Sequence, residues 1–206
     1  MTSEGFVGDL FQGPTPKTRD EKNLEVVKEY FSKLAEILHL PKFSSLVHSS
    51  GGGLEDALAH LVRDIREGTH CPVCTRFIQL YRRNITSAMA RCVLALYRIW
   101  RTKGDVWTHV LETIPYEERS GDYGKLVLWG LIEEKRSPKE DGNPEAGFYR
   151  ITALGREFAL DKIRVPKYKF CMMDDVIDWQ EEGVELTVSI REALGDKFDY
   201  FKALNA

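Results

Sequence analysis

Between Gly121 and Leu160 the chain reads GDYGKLVLWGLIEEKRSPKEDGNPEAGFYRITALGREFAL, and few folds accommodate that order of signals. Tyr123, Leu126, Val127 and Leu131 recur at spacings of three and four, which predicts a helix from Gly121 to Leu131 with those side chains on its buried side. Leu128 and Trp129 widen the stripe. Gly130 stands where such a helix stops, because glycine enters the left-handed conformation without a Cβ clash. Ile132 to Arg136 and Phe148 to Thr152 are β-compatible runs, and Pro138, Asp141-Gly142 and Asn143-Pro144 supply turn signals between them. The expectation is a hairpin with a polar tip. Thr152 then caps a helix from Ala153 to about Lys162, with Leu154, Phe158 and Leu160 turned inward.

Two runs in this stretch resemble the winged helix-turn-helix module of MarR-like and PadR-like regulators. One is Leu126-x-x-x-Gly130-Leu131-Ile132-Glu133-Glu134, which in that family closes the recognition helix. The other is Tyr149-x-Ile151-Thr152-x-x-Gly155-Arg156, which closes the wing. The resemblance implies a winged-helix core and a double-stranded DNA partner. Upstream, Ser87 to Trp100 predicts the first helix of the module and Val106 to Ile114 a short second one, broken by Pro115.

At 206 residues the chain exceeds one winged helix, so further elements must surround it. The expected fold class is α+β, mainly helical: a winged-helix core with added N-terminal helices and a small C-terminal β/α extension. The expected parts are a flexible tail (1–20), a helix and Ser/Gly linker (21–53), a helix with a Cys-x-x-Cys segment (54–85), the winged helix (86–162) and the extension (163–206). No apolar run reaches about 18 residues and no signal segment opens the chain, so no membrane partner is expected and the expected location is the cytoplasm.

The net charge of −3 conceals an uneven distribution. Lys and Arg number 20 against 14 Asp and Glu between residues 60 and 170, but 6 against 9 before and 3 against 9 after. A basic middle between acidic ends is compatible with a nucleic-acid face. The candidate DNA contacts are Arg82 and Arg83 before the first module helix, Arg119, Ser120, Tyr123 and Lys125 at the start of the third, and Lys135, Arg136 and Lys139 in the wing. Glu117, Glu118 and Asp122 stand among them and oppose a phosphate. That mixture keeps a second reading open, a winged-helix adaptor that binds a host or phage protein. Arg76, Arg91, Arg98 and Arg101 interleave with Phe77, Tyr81, Tyr97 and Trp100, either to stack on bases or to line the wet side of helices whose aromatics are core.

Asp20 to Leu40 predicts an amphipathic helix capped by Asp20, which can serve a homodimer contact or close its own core. Cys71 and Cys74, three positions apart around Pro72, can hold half of a tetrahedral zinc site. Its other donors would have to come from His48, His60, His70, Cys92, His109 or Cys171. The alternatives are two structural thiols or a redox dithiol, so the cofactor expectation is none or one structural zinc. Ile163 to Phe170 predicts an edge strand, Cys171 to Glu182 an acidic turn, and Leu186 to Ile190 a strand followed by a helix capped by Ser189. No catalytic motif is present, and a noncatalytic protein is expected. Cys-Pro-x-Cys, Leu80-Tyr-Arg-Arg, Arg164-Val-Pro-Lys-Tyr168 and Ile190-Arg-Glu-Ala-Leu-Gly195 together are similar to small proteins of tailed bacteriophages that have no assigned activity. That likeness implies a phage or prophage origin and no mechanism; joined to the winged-helix resemblance it gives the expectation of a phage regulatory or accessory factor.

Overall fold

The computed structural model describes residues 17–37, 54–71, 76–119, 121–135, 146–172, 175–181 and 186–206. The expected tail as far as residue 16, the Ser/Gly linker, Cys74, Ser120, Arg136, Lys139 and the hairpin tip lie outside them. The chain is mixed α+β with small sheets. It divides into two units, Met1–Phe77 with Asp178–Gln180, and Ile78–Ile177 with Glu181–Ala206.

In the first unit, helix α1 (Arg19–Ile37) starts two residues earlier than expected. Thr18, not Asp20, caps it: its hydroxyl accepts from the Glu21 N–H at 3.3 Å, and Glu21 accepts from the Thr18 N–H at 2.7 Å. Two orphan donors are thereby satisfied reciprocally. Val27 and Phe31 on α1 and Leu58, Leu61 and Ile65 on and just after α2 (Leu54–Asp64) are buried, and the two helices pack together. Asn23 is buried among them; it donates to the Gln180 carbonyl at 3.0 Å and accepts from the Gln180 N–H at 2.8 Å. An apolar residue there would orphan both backbone groups. Strands β1 (Thr69–His70) and β2 (Phe77–Ile78) pair where the chain passes to the second unit.

The second unit is built on α3 (Ser87–Lys103), whose Cys92 to Tyr97 are all buried. A helix buried on nearly every side needs cover all round. Around it lie β4 (Thr108–His109), α4 (Val110–Thr113), a 3-10 turn (Tyr116–Glu118), a 3-10 helix (Tyr123–Trp129), the strands β5 (Ile132–Glu134) and β6 (Phe148–Ile151), and α5 (Ala153–Ala159). The second predicted helix is thus only four residues long. Thr108 and His109, which the helical spacing assigned to it, instead pair with Tyr149 and Phe148. Pairing to a strand forty residues away overrides the local period.

The helix expected from Gly121 to Leu131 is also changed in kind. Its buried residues are Tyr123, Leu126 and Trp129, three apart, and a helix of three residues per turn lines those positions up on one side. Gly130 ends it at φ +68°, as expected of a left-handed stop. The hairpin is paired as expected, Ile132 opposite Ile151, Glu133 opposite Arg150 and Glu134 opposite Tyr149. The resulting sheet has the order β4-β6-β5. Thr152 caps α5 by accepting from the Gly155 N–H at 2.9 Å. Phe158 is buried, but Leu154, expected inward, is exposed.

Beyond α5 the expected edge strand is two strands. β7 (Val165–Pro166) pairs with β10 (Thr187–Val188), while β8 (Tyr168–Met172) lies in the middle of a sheet ordered β3-β8-β9, between β3 (Leu80–Asn84) and β9 (Asp175–Ile177). The acidic turn expected after Cys171 therefore holds a strand. Ser189 caps α6 (Ile190–Leu194) in a full capping box with Glu192, and α7 (Tyr200–Asn205) packs on α3, its Tyr200 hydroxyl donating to the Ala159 carbonyl at 3.0 Å.

Two buried acids make this unit sensitive to alkali. Burial, reinforced by its bond as a donor to Glu134 at 3.0 Å, pushes the Tyr149 phenol up to about 12 from an ordinary 10.0, and burial likewise pushes the Cys92 thiol up to about 12. Both are favoured neutral in the fold, so the stability they lend is complete below their unfolded values and disappears as the pH climbs through about 12. Stability should fall from about pH 9.0, where Cys92 begins to matter, and more steeply from 10.0 to about 12, with Tyr149 contributing on the order of 2 kcal/mol of the loss. Tyr149→Phe should cost about 1 kcal/mol at neutral pH, for the lost hydrogen bond, and then decline less steeply in alkali. Urea titrations at pH 8, 10 and 11.5 measure both; parallel declines would exclude Tyr149 as a source.

Candidate nucleic-acid interface

The first two turns of α3 are set by Thr86, whose side chain accepts from the Met89 N–H at 3.2 Å. Immediately before it, β3 delivers Arg82 and Arg83. From the other direction, the 3-10 helix brings Asp122, Lys125 and Trp129 to the same place, and Trp129 is pinned there by its indole N–H donating to the Pro166 carbonyl at 2.6 Å. Arg82, Arg83, Asn84, Thr86, Met89, Asp122, Lys125 and Trp129 together line a cavity of about 100 Å³. Three cations separated by up to 43 positions in the chain thus converge beside the positive end of a 17-residue helix, where backbone N–H groups also favour an anion.

None of the three is locked away. Arg82 lies 4.8 Å over the Tyr168 ring with Glu181 at 3.9 Å, and Arg83 lies 4.9 Å over Tyr81. Lys125 pairs with Asp122, an exposed pair one turn apart of the kind worth only about 0.2 to 1 kcal/mol. Asp122 lowers the positive potential of the cavity but does not abolish it.

The remaining predicted contacts are placed differently. Tyr123 is a core residue, its ring edge-on to Tyr149 at 5.4 Å, and burial raises its phenol. Arg119 turns inward, donating from Nε to the Ile114 carbonyl at 2.9 Å and so satisfying the end of α4. From Tyr123 to Trp129 only Lys125 offers a substantially open side chain, so the element expected to read base edges presents no row of side chains to a groove. Lys135 at the base of the hairpin lies 5.4 Å over Phe148. Arg150 is held by Glu133, Asp105 and the face of Trp107.

Arg91, Arg98 and Arg101 of the basic middle act within the fold. Arg91 donates to the Glu117 carbonyl and covers Phe198 at 4.5 Å. Arg98 bonds Glu118 and the Ala203 carbonyl, and Arg101 bonds Asn205 at 3.2 Å. Their sequence signal, arginine alternating with aromatics, was that of helices gathered around an aromatic core. Asp122 and Trp129 of the cavity were not singled out as site residues, since only the 3-10 register places them there.

Cys71 is buried and its N–H donates to the Arg76 carbonyl at 2.8 Å. Among the described residues no group of three His, Cys, Asp or Glu side chains is placed to hold a metal, and no helix is long and apolar enough to cross a membrane. Comparison with protein-family models, with curated proteins and with solved structures returned no match.

Proposed function

We propose that the chain is a noncatalytic winged-helix protein that binds double-stranded DNA through its phosphates, a regulatory or accessory factor of the phage type that its sequence resembles. The element order α3, β4, α4, 3-10 helix, β5, β6, α5, with β6 central in its sheet, supports a winged-helix reading. The observation that carries the function is the convergence of Arg82, Arg83 and Lys125 on one cavity at the N-terminus of α3. Phosphate contacts position a protein on a duplex and carry no sequence information themselves. Because the 3-10 helix offers a ligand only Lys125, a phosphate contact, binding should be steep in salt and indifferent to sequence.

Three neutralised phosphates give a slope of about −2.7 in log affinity against log salt, so affinity should fall roughly 40-fold between 50 and 200 mM salt. Lys125→Gln and Arg82→Gln should each flatten that slope by about 0.9. Anisotropy titrations with two unrelated duplexes measure all of this. An absence of binding at 50 mM, or a slope that both variants leave unchanged, would overturn the reading. A protein-binding adaptor is the second reading, favoured by Tyr116 at 76 % and Leu111 at 50 % exposure on either side of Arg119. An exposed apolar pair of that kind suits a protein surface.

A further inference from the structure

The sheet β3-β8-β9 has two unlike faces. Side chains alternate along each strand and directly opposed residues share a face. Leu80, Met172, Phe170 and Ile177 therefore lie together, and all four are buried. The other face carries Tyr81, the buried Cys171 and Val176 in one row across the sheet and Arg83 opposite Lys169 in the next, so it is open at its edges. Tyr81 is 44 % and Val176 41 % exposed, and the Arg83 guanidinium lies 4.9 Å from the Tyr81 ring.

Two features of that face want a ligand. Arg83 and Lys169 are like charges directly opposite each other, an arrangement that destabilises a sheet. Among the described residues no carboxylate forms an ion pair with either. A polyanion running between them would convert the repulsion into attraction. Tyr81, at the sheet edge, has an arginine beside its ring and stays open to solvent, the setting in which a planar base stacks.

We propose that this face binds single-stranded nucleic acid, with Arg83 and Lys169 straddling the sugar-phosphate chain and a base stacked on Tyr81. A duplex keeps its bases paired and stacked, so only an unpaired strand can use the tyrosine. The face goes beyond the duplex reading: it shares Arg83 with the cavity that holds Arg82 and Lys125, but Tyr81 and Lys169 do not line that cavity.

The test uses the full chain and fluorescently labelled 20-nucleotide poly-dT, with a duplex and poly-glutamate as separate probes. Wild type should bind the single strand. Tyr81→Ala should weaken that binding by about 10-fold, within the range for one stacked base, and Tyr81→Phe should restore it. Lys169→Gln should weaken it and flatten its salt dependence while keeping or raising the thermal midpoint, because it removes the facing charge. Neither Tyr81→Ala nor Lys169→Gln should change duplex affinity, whereas Lys125→Gln should change it without affecting poly-dT. Circular dichroism confirms that each variant is folded. The proposal is overturned if wild type fails to bind poly-dT at 50 mM salt, if Tyr81→Ala binds it unchanged, if poly-glutamate competes equally well, or if Lys169→Gln lowers the midpoint. Loss of duplex binding with poly-dT binding intact would sink the duplex reading alone.

Discussion

Gly155→Ala is expected to lower the thermal midpoint by roughly 6 to 12 °C, the equivalent of about 3 kcal/mol in a chain of this size. A Cβ at Gly155 would stand 2.0 Å from the Leu131 carbonyl oxygen and 2.8 Å from Ile151 Cγ1. Backbone meets it on one side and a buried strand residue on the other, so neither can swing away as an exposed side chain would. Moving the Leu131 carbonyl would also disturb the bonds it accepts from the Thr152 N–H at 3.1 Å and the Thr152 hydroxyl at 3.2 Å. The 3-10 helix, the hairpin and the cap of α5 meet at that one carbonyl. Gly121→Ala is the control, since nothing lies within 4 Å of its Cβ position; it should stay within about 0.5 kcal/mol of wild type. Equal midpoints for the two variants would mean that α5 does not approach Leu131 as closely as described.

Phe158→Ala should cost about 3 to 5 kcal/mol, since it empties a fully buried ring from the core that α3 shares with α5. Phe198→Ala removes a ring that is 38 % exposed and loses chiefly the stacking of Arg91 at 4.5 Å, so it should cost no more than about 1 kcal/mol. Urea titrations followed by tryptophan fluorescence separate them, because Trp100, Trp107 and Trp129 all belong to the unit that contains both phenylalanines. A Phe158→Ala midpoint at or above that of Phe198→Ala would place the ring outside the core.

Much of the frame was legible because its causes are local. Thr152, Ser189 and Gly130 act within four residues of their own positions, and the Pro and Gly signals of residues 138–144 predicted the strands on either side of them. The same locality misled elsewhere. Thr18 and Glu21 form the capping box of α1, in place of the expected cap Asp20. Val106, Val110 and Ile114 have helical spacing, but Thr108 and His109 find strand partners at Tyr149 and Phe148. Leu154 continued an apolar pattern and ended exposed. Of the nine residues expected to touch DNA, Arg82, Arg83 and Lys125 come together, whereas Tyr123 and Arg119 are used inside the fold.

What the amino-acid order determined by itself was a set of local signals: the caps at Thr152 and Ser189, the stop at Gly130, the hairpin that follows it, and the concentration of positive charge in the middle of the chain. Only the tertiary structure decided that β8 is a central strand, that Tyr123, Leu126 and Trp129 turn with a period of three, and that Arg83 faces Lys169. The reason is physical range. Caps, turns and stripes depend on neighbours a few bonds away, while the company a side chain keeps across a sheet or around a cavity depends on residues tens of positions distant, brought there by the burial of others.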